Sequence, residues 1–470
     1  MQLASLDGST VGVEESAVDE LAKSLSGELL RAGSRGFDES RAIWNAWIDR
    51  KPGLIVRATR TADVAAAVRF AADHGVLLSV RAGGHNHVGF AVCDGGVMID
   101  LTRMRSTRLE AETRRAVIGP GLTFADLDAL THQAGLATTG AIVSMVGVPG
   151  YTLGGGVGWL HRKAGAGCDN LISAEVVTAT GDVVRTDEKE NPELLWALRG
   201  GGGNFGVVTE LGFRLHEVKN VMAGLLFHPL EDLEVVATFV DGFMDQAPDD
   251  LCVWMLHRKA PPSPALPAEL HGRPVVIVAV TYAGPMGNAE KVVAPLRTFR
   301  KPLLDLVKPR PYPEWQRALD APWGNGFHNE WVGHYLKKYD KSAMATMLDF
   351  ISRVPSPYSD VKLARMGGAI GRVGENDTAF GMRDSRYALV IQARWEKPEE
   401  TDLQMKWTRE FHAAMGAHGT GKVYSNFVGH EPEGRVEDAY NKTSYARLRA
   451  LKAQLDPRNL FRMNVNIKPS

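Results

Sequence analysis

Cysteine is scarce: the 470 residues hold only Cys93, Cys168 and Cys252. An odd number with no C-x-x-C spacing offers neither a disulfide framework nor a cysteine-based zinc site. Charge of one sign is also missing, since 54 basic and 55 acidic residues leave a formal net charge of −1. That balance gives no electrostatic reason to expect nucleic acid or an anionic membrane as partner. No apolar run reaches the roughly 18 residues that a membrane-spanning helix needs. The opening "MQLASLDGSTVGVEES" has no basic start and no apolar centre, so no signal peptide is expected and a cytoplasmic location is the default. What remains is a composition with 44% hydrophobic and 23% charged residues, ordinary for a globular protein. The length suits two or three domains.

Regular elements are legible in several places. "LIVRA" and "LLSVRA" read as strands around a helix, with Thr61 as its cap, Asp63 in its first turn, Val64, Val68 and Ala71 at helical spacing, and Gly75 as its stop. "GGVMIDL" and "AVIGPG" read as strands and "TFADLDALTHQAG" as a capped helix. "SAEVVTATGDVVRT" reads as a hairpin with a Gly-Asp turn. From about residue 218 to 419 the pattern changes. Alternating strands such as "VVIVAVTYAG" and "YALVIQARW" mix with helices such as "SAMATMLDFIS", and a proline-rich surface loop, "APPSPALPAELHGRP", interrupts them. This predicts a second α+β domain built on an antiparallel sheet. The tail "YARLRALKAQLDPRNLFRMNVNI" reads as a helix ended by Asp-Pro, followed by an extended piece.

Glycine is the abundant residue, 49 in all, and it clusters: "RAGGHNHVG" at 81–89, "GVPGYTLGGGVG" at 147–158 and "RGGGGNFG" at 199–206. Bare backbone can approach a ligand closely, and its N–H groups can cradle phosphate. Three clusters so close in sequence suggest one large anionic ligand. The common phosphate motifs do not fit. "GGGGNFG" lacks the Lys-Ser/Thr of a P-loop, and no helix pattern follows "GGHNHVGF" as a dinucleotide fingerprint requires. His85 and His87 stay open on residues alone between metal ligands, structural histidines and a cofactor attachment point. No further His/Asp/Glu cluster has ligand spacing, so a metal is not expected.

The ordered set "RAGGHNHVGF", "VMIDLTRM", "GVPGYTLGGGVGWLHRKAGAGCDNLISAEVVTATGDVV", "LLWALRGGGGNFGVVTELGFRL" and "LKAQLDPRNLFRMNVNI" resembles the berberine-bridge-enzyme-like FAD oxidoreductases. These belong to the vanillyl-alcohol-oxidase superfamily with its PCMH-type FAD-binding domain, and the resemblance is nearest to bacterial 6-hydroxy-D-nicotine-oxidase-like members. It spans nearly the whole chain. It implies an α+β fold: an FAD-binding domain of two α+β subdomains, and a substrate domain with a large antiparallel sheet covered by helices. The implied division is 1–217 for the N-terminal part of the FAD-binding domain, 218–419 for the substrate domain, and 420–470 for a segment returning to the first.

The resemblance also implies the site. His85 stands where the family bonds its histidine ring to the 8α-methyl carbon of FAD. A second link elsewhere in the family uses a cysteine, but "VSMVGVPG" puts Val143 there, so one covalent link is expected. His87 falls where the family varies. Arg81, Gly83, Gly84, Asn86 and Gly89 match the pyrophosphate loop. Gly147, Gly150, Gly154, Gly155 and Gly158 match the second FAD-contacting loop, and Gly206 and Val208 a strand along the cofactor. Asn426, in "YSNF", matches an asparagine near the flavin ring.

The family removes hydride from a C–H next to N or O, and O2 then usually reoxidises the flavin to give H2O2. Family bases are a Glu in a "GGxMxEI" strand or a Tyr in "YxNY"; here "GGAIGRV" and "YSNF" put Arg372 and Phe427 there. Two substrate readings follow: a neutral amine that needs no dedicated base, or an anionic molecule held by Arg372. Tyr151 is a candidate acid or base, and Trp331, His334 and Tyr335 are candidates for the substrate pocket. Leu171 and Ile172 lie near the position thought to gate oxygen. An amine or natural-product-like substrate is favoured. The alternatives are a secondary-alcohol or sugar oxidase or dehydrogenase of the same family, and a flavin-binding protein without turnover.

Overall fold

The computed structural model describes residues 1–264, 266–428 and 435–470. Residue 265 of the proline-rich loop and residues 429–434 of the C-terminal segment therefore lie outside the described residues.

The first layer grows from the strand–helix–strand unit. Leu54–Arg57 and Leu78–Arg81 pair in parallel with Val97–Asp100, and Glu28–Leu30 adds an antiparallel edge. The connecting helix, Thr61–His74, buries Val64, Val68 and Ala71 against this sheet and ends at Gly75 with φ +64°. Its start differs from expectation. Thr61 is already helical, and its hydroxyl donates to Glu175 (2.7 Å) rather than capping the helix. Asp63 does the anchoring, accepting from the backbone N–H of Ser26, Gly27 and Thr59.

A five-stranded antiparallel sheet follows, in the order Val183–Thr186, Leu171–Val177, Val207–Arg214, Arg115–Ile118, Thr107–Glu110. The predicted hairpin forms its outer pair. The helix Phe124–His132 begins with a capping box between Thr123 and Asp126.

The third layer is an eight-stranded sheet. Its six long strands run Asn220–Pro229, Pro274–Tyr282, Leu251–Lys259, Asp360–Arg365, Tyr387–Trp395, His328–Leu336, the last at the edge. Side chains alternate between its faces. One face, with Val361, Leu363, Leu389 and Ile391, packs under helices Leu233–Gln246, Ala289–Thr298, Lys341–Ser352 and Thr401–Gly416. The other face packs on Val157, Trp159 and Leu160 from the second glycine cluster. The result is α+β throughout, with the two faces of the large sheet given to different tasks.

Candidate active site

Between the glycine loops and the face of the large sheet turned away from its four helices lies a cavity. The loops come together because they lack side chains. A Cβ on Gly83 would sit 2.5 Å from Gly147 Cα, and one on Gly147 would sit 2.5 Å from Gly83 Cα. Both distances are below any real carbon contact, so only glycine lets the two loops touch. The third cluster, with Gly200–Gly203 and Gly206, and Asn464 from the C-terminal segment complete that side.

His85 lies on the wall, its ring stacked on Trp44 at 4.3 Å and 23°. Trp44 is fixed by donating its indole N–H to the Trp323 carbonyl (2.8 Å). Burial, helped by the Arg394 guanidinium, lowers the His85 pKa to about 3, so its imidazole is neutral at physiological pH. His87 points elsewhere: its ring is buried and stacked on Trp331 at 5.4 Å. Among the described residues no group of three or more His, Cys, Asp or Glu could hold a metal.

The second loop is tied down by the C-terminal segment. Asn426, in the short 3-10 turn Ser425–Phe427, donates to the Tyr151 carbonyl (3.1 Å) and the Tyr424 hydroxyl (2.7 Å). The Tyr424 hydroxyl accepts the Gly156 N–H (2.7 Å), and the Ser425 hydroxyl donates to the Gly154 carbonyl (2.6 Å). Tyr151 donates its own hydroxyl to the Gly140 carbonyl (2.8 Å), and burial holds its pKa well above the ordinary tyrosine value.

The structure brings most of the expected residues to one wall. Gly83, Gly84, His85, Asn86, Gly147, Gly150, Tyr151, Gly154, Gly206, Val208 and Asn426 all line the cavity, as does Val143. Four others stand behind it. Arg81 reaches Asp100 (3.8 Å), Gly89 packs on Ile48, Gly155 on Phe380, and Gly158 on the Gly140 carbonyl. Their part is to let the loops pack.

Arg372 is a correction. The strand ends at Arg365, and Gly367 and Gly368, at φ +96° and +67°, turn the chain into a short helix, Ala369–Arg372. Left-handed φ at two successive glycines breaks the extended pattern. Arg372 emerges exposed, pairs with Asp249 at 2.6 Å, and is not on the cavity wall. Of the other pocket candidates, Trp331 lines the cavity, 5.9 Å from Phe427. His334 falls on the opposite face of the strand, stacked on His412 at 4.1 Å, and Tyr335 is packed into the core. Leu171 is buried in the core, and Ile172 borders a separate surface hollow.

The residues that sequence reading missed are on the sheet: Trp254, Lys362, Val390 and Gln392, together with Trp44 and Trp323. Cross-strand pairing explains their convergence. Asp360 lies opposite Gln392 and Arg258, Lys362 opposite Val390 and Leu256, and Trp331 opposite Gln392. The signal that could have found Lys362 is the alternation in "DVKLAR". It puts Asp360, Lys362 and Ala364 on one face and Val361 and Leu363 on the helix-covered one.

Comparison with known proteins adds to this geometry. An FAD binding domain model matches residues 52–187, and a "Berberine and berberine like" model matches residues 423–468. (R)-6-hydroxynicotine oxidase of Paenarthrobacter nicotinovorans is 33% identical over 459 residues, covering 95% of this chain and 97% of that protein. An FAD-linked oxidoreductase of Dictyostelium discoideum is 28% identical, covering 96% of this chain and 97% of its own length. The crystal structure of 6-hydroxy-D-nicotine oxidase from Arthrobacter nicotinovorans superposes with a TM-score of 0.85 at 31% identity, covering 95% of this chain and 99% of the other.

Proposed function

This chain belongs to the berberine-bridge-enzyme-like FAD-linked oxidoreductases and is an FAD-dependent oxidoreductase; from that premise we propose that it carries FAD on a single covalent bond to His85 and oxidises a small molecule at a C–H next to N or O. The cavity fits the cofactor. Gly150 and Gly203 present bare backbone, since a Cβ on Gly150 would meet nothing within 4 Å and one on Gly203 only Asn464 at 4.0 Å. The buried Asn464 Oδ1 has no partner among the described residues. Gly83, Gly84 and Asn86 would hold the pyrophosphate side, and Gly147, Gly150, Gly154, Gly206 and Val208 the rest. Arg81, Gly89, Gly155 and Gly158 would support these loops from behind.

The observation that carries the reading is the neutral ring of His85, facing the cavity with Trp44 stacked against it. A neutral imidazole keeps a nitrogen lone pair for bond formation, and stacking fixes its plane. FAD held there would supply a two-electron acceptor for the substrate's hydride, with O2 as the terminal acceptor and H2O2 as product. Asn426 and Tyr151 position the second loop through backbone hydrogen bonds. The Tyr151 hydroxyl, spent on Gly140, holds its proton. Among the described residues no carboxylate lines the cavity, so an amine would bind in its neutral form, the form that gives up hydride. A natural-product-like substrate suits the aromatic walls, Trp44, Trp254, Trp323, Trp331 and Phe427. The alternative within the family is a secondary alcohol or sugar. We propose the same division of labour along the chain: 1–217 and 420–470 hold the cofactor, and 218–419 faces the substrate.

The test is acid precipitation of the purified protein. Flavin absorbance should stay in the washed pellet of the wild type and move to the supernatant for His85→Ala. Flavin that washes out of the wild type sinks the covalent bond.

A further inference from the structure

Lys362 is the one formally charged side chain on the cavity wall among the described residues, and sequence reading had placed the corresponding role on Arg372. It is buried with its partners. Its Nζ donates to the Asp360 carboxylate and to Gln392 Oε1 (2.6 Å), and lies 4.6 Å from the centre of the Trp323 ring. An ammonium has three donors, and the protein takes two. The same Asp360 carboxylate also faces Arg258 at 3.5 Å, so one buried anion serves two buried cations. Arg394 stands nearby, over the Trp44 ring at 5.4 Å. It donates to Asn329 Oδ1 (3.0 Å) and the Gly324 carbonyl, and its charged neighbours include Asp360, Arg258, Glu396 and Lys362. Burial first, and the two arginines with it, lower the Lys362 pKa below the ordinary lysine value, while the Asp360 carboxylate opposes the shift.

We propose that Lys362 selects an aromatic or conjugated substrate bearing a carboxylate, which it binds through its remaining N–H. This rests on the reading of the cavity as the oxidation site, and narrows its substrate class. A carboxylate restores the charge balance that Asp360 alone leaves short, and a charge-assisted hydrogen bond in a cavity lined mainly by apolar side chains is a strong one. Among the described residues no acidic side chain on the wall repels it. The four tryptophans take the flat apolar part of the molecule. A protonated amine meets the opposite field, with a like charge and, among the described residues, no counter-ion on the wall.

The test uses the holoenzyme with phenylacetate and its neutral isostere phenylacetamide. Binding is read by perturbation of the flavin absorption and in parallel by calorimetry. Wild type should bind phenylacetate at least about tenfold more tightly than the amide, a difference of about 1.4 kcal/mol. Lys362→Met should erase that preference and Lys362→Arg should keep it. Because Lys362→Met leaves Asp360 with Arg258 alone, the double variant Asp360→Asn/Lys362→Met removes both charges and should lose the preference in the same way. Equal binding of the two probes, a preference that survives Lys362→Met, or no binding of phenylacetate at millimolar concentration overturns the proposal. Calorimetry needs no flavin signal. A protein without flavin would therefore sink the cofactor reading while the carboxylate preference stayed measurable.

Discussion

At the scale of single residues, the loops are fitted around missing side chains, and one contact shows it. A Cβ on Gly154 would collide with Asn426 Oδ1 and lie 2.7 Å from Asn426 Cγ, although the Gly154 backbone, at φ −87°, suits any residue. Gly154→Ala should therefore destabilise by overpacking alone, about 1–3 kcal/mol. Asn426→Ala should also destabilise, because the Tyr151 carbonyl and the Tyr424 hydroxyl lose their donor. Yet in the double variant the clash is gone, so the two effects should fall short of their sum by about 1 kcal/mol or more in urea denaturation. Strict additivity would mean that the side chain moves away at no cost. His85 and these glycines were legible in the sequence because their residue types are unusual in runs. Lys362 was not, since a lysine in a strand looks like a solvated one until the partner strands are known. Arg372 was misplaced for the converse reason: its motif spacing matched, but two left-handed glycines ended the strand before it.

At the scale of elements, periodicity located helices and strands well, and their anchoring less well. The helix Thr61–His74 is held at its N-terminus by Asp63, not by the threonine that precedes its apolar stripe. Burial alone would raise the Asp63 pKa. The N–H groups of Thr59 and Ser26, with the Thr59 hydroxyl and Arg60, instead bring it below the usual carboxylate value. Replacing Asp63 by Ala leaves the N–H groups of Ser26, Gly27 and Thr59 without their acceptor. The expected loss is about 3 kcal/mol or more, read as a shift in the urea midpoint. A shift under about 1 kcal/mol would mean that water replaces the carboxylate and that the anchor is not structural. The same distinction governs the site. The sequence showed which strands exist, but not that Asp360–Arg365 runs between Leu251–Lys259 and Tyr387–Trp395. That pairing is what sets Arg258, Asp360 and Gln392 side by side. Pairings between strands far apart in sequence leave no local trace.

At the scale of the whole molecule, the glycine-rich side of the cavity is written in contiguous motifs and the sheet side is assembled from distant strands, so the class of chemistry was readable and the pocket was not. One property belongs to the fold as a unit. Five histidines away from the proposed flavin bond are held neutral: desolvation lowers the buried His161, His257 and His334 and the half-buried His216 to about 4, and the half-buried His412 to about 3. Unfolded, each would titrate near the ordinary value of 6.5. Between pH 6.5 and 4 the unfolded chain therefore binds protons that the folded chain refuses, and stability must fall as pH falls through that window. Each histidine contributes at most about 1.4 kcal/mol per pH unit. The stability that the neutral histidines confer is thus complete above pH 6.5 and lost toward pH 4, the reverse of a histidine stabilised by a carboxylate. His257 isolates the effect. It sits on the helix-covered side of the large sheet, its Nδ1 within 3.4 Å of the Val361 carbonyl and its Nε2 within 3.4 Å of the Tyr339 hydroxyl, far from the reacting groups. Urea midpoints measured from pH 7.5 down to 5 should fall steadily for the wild type. They should fall less steeply for His257→Gln, by up to one proton's worth of slope. A wild-type midpoint that stays level over this range would mean that these rings accept protons inside the fold, and that the cavity walls built on the same sheet are wetter than their packing implies.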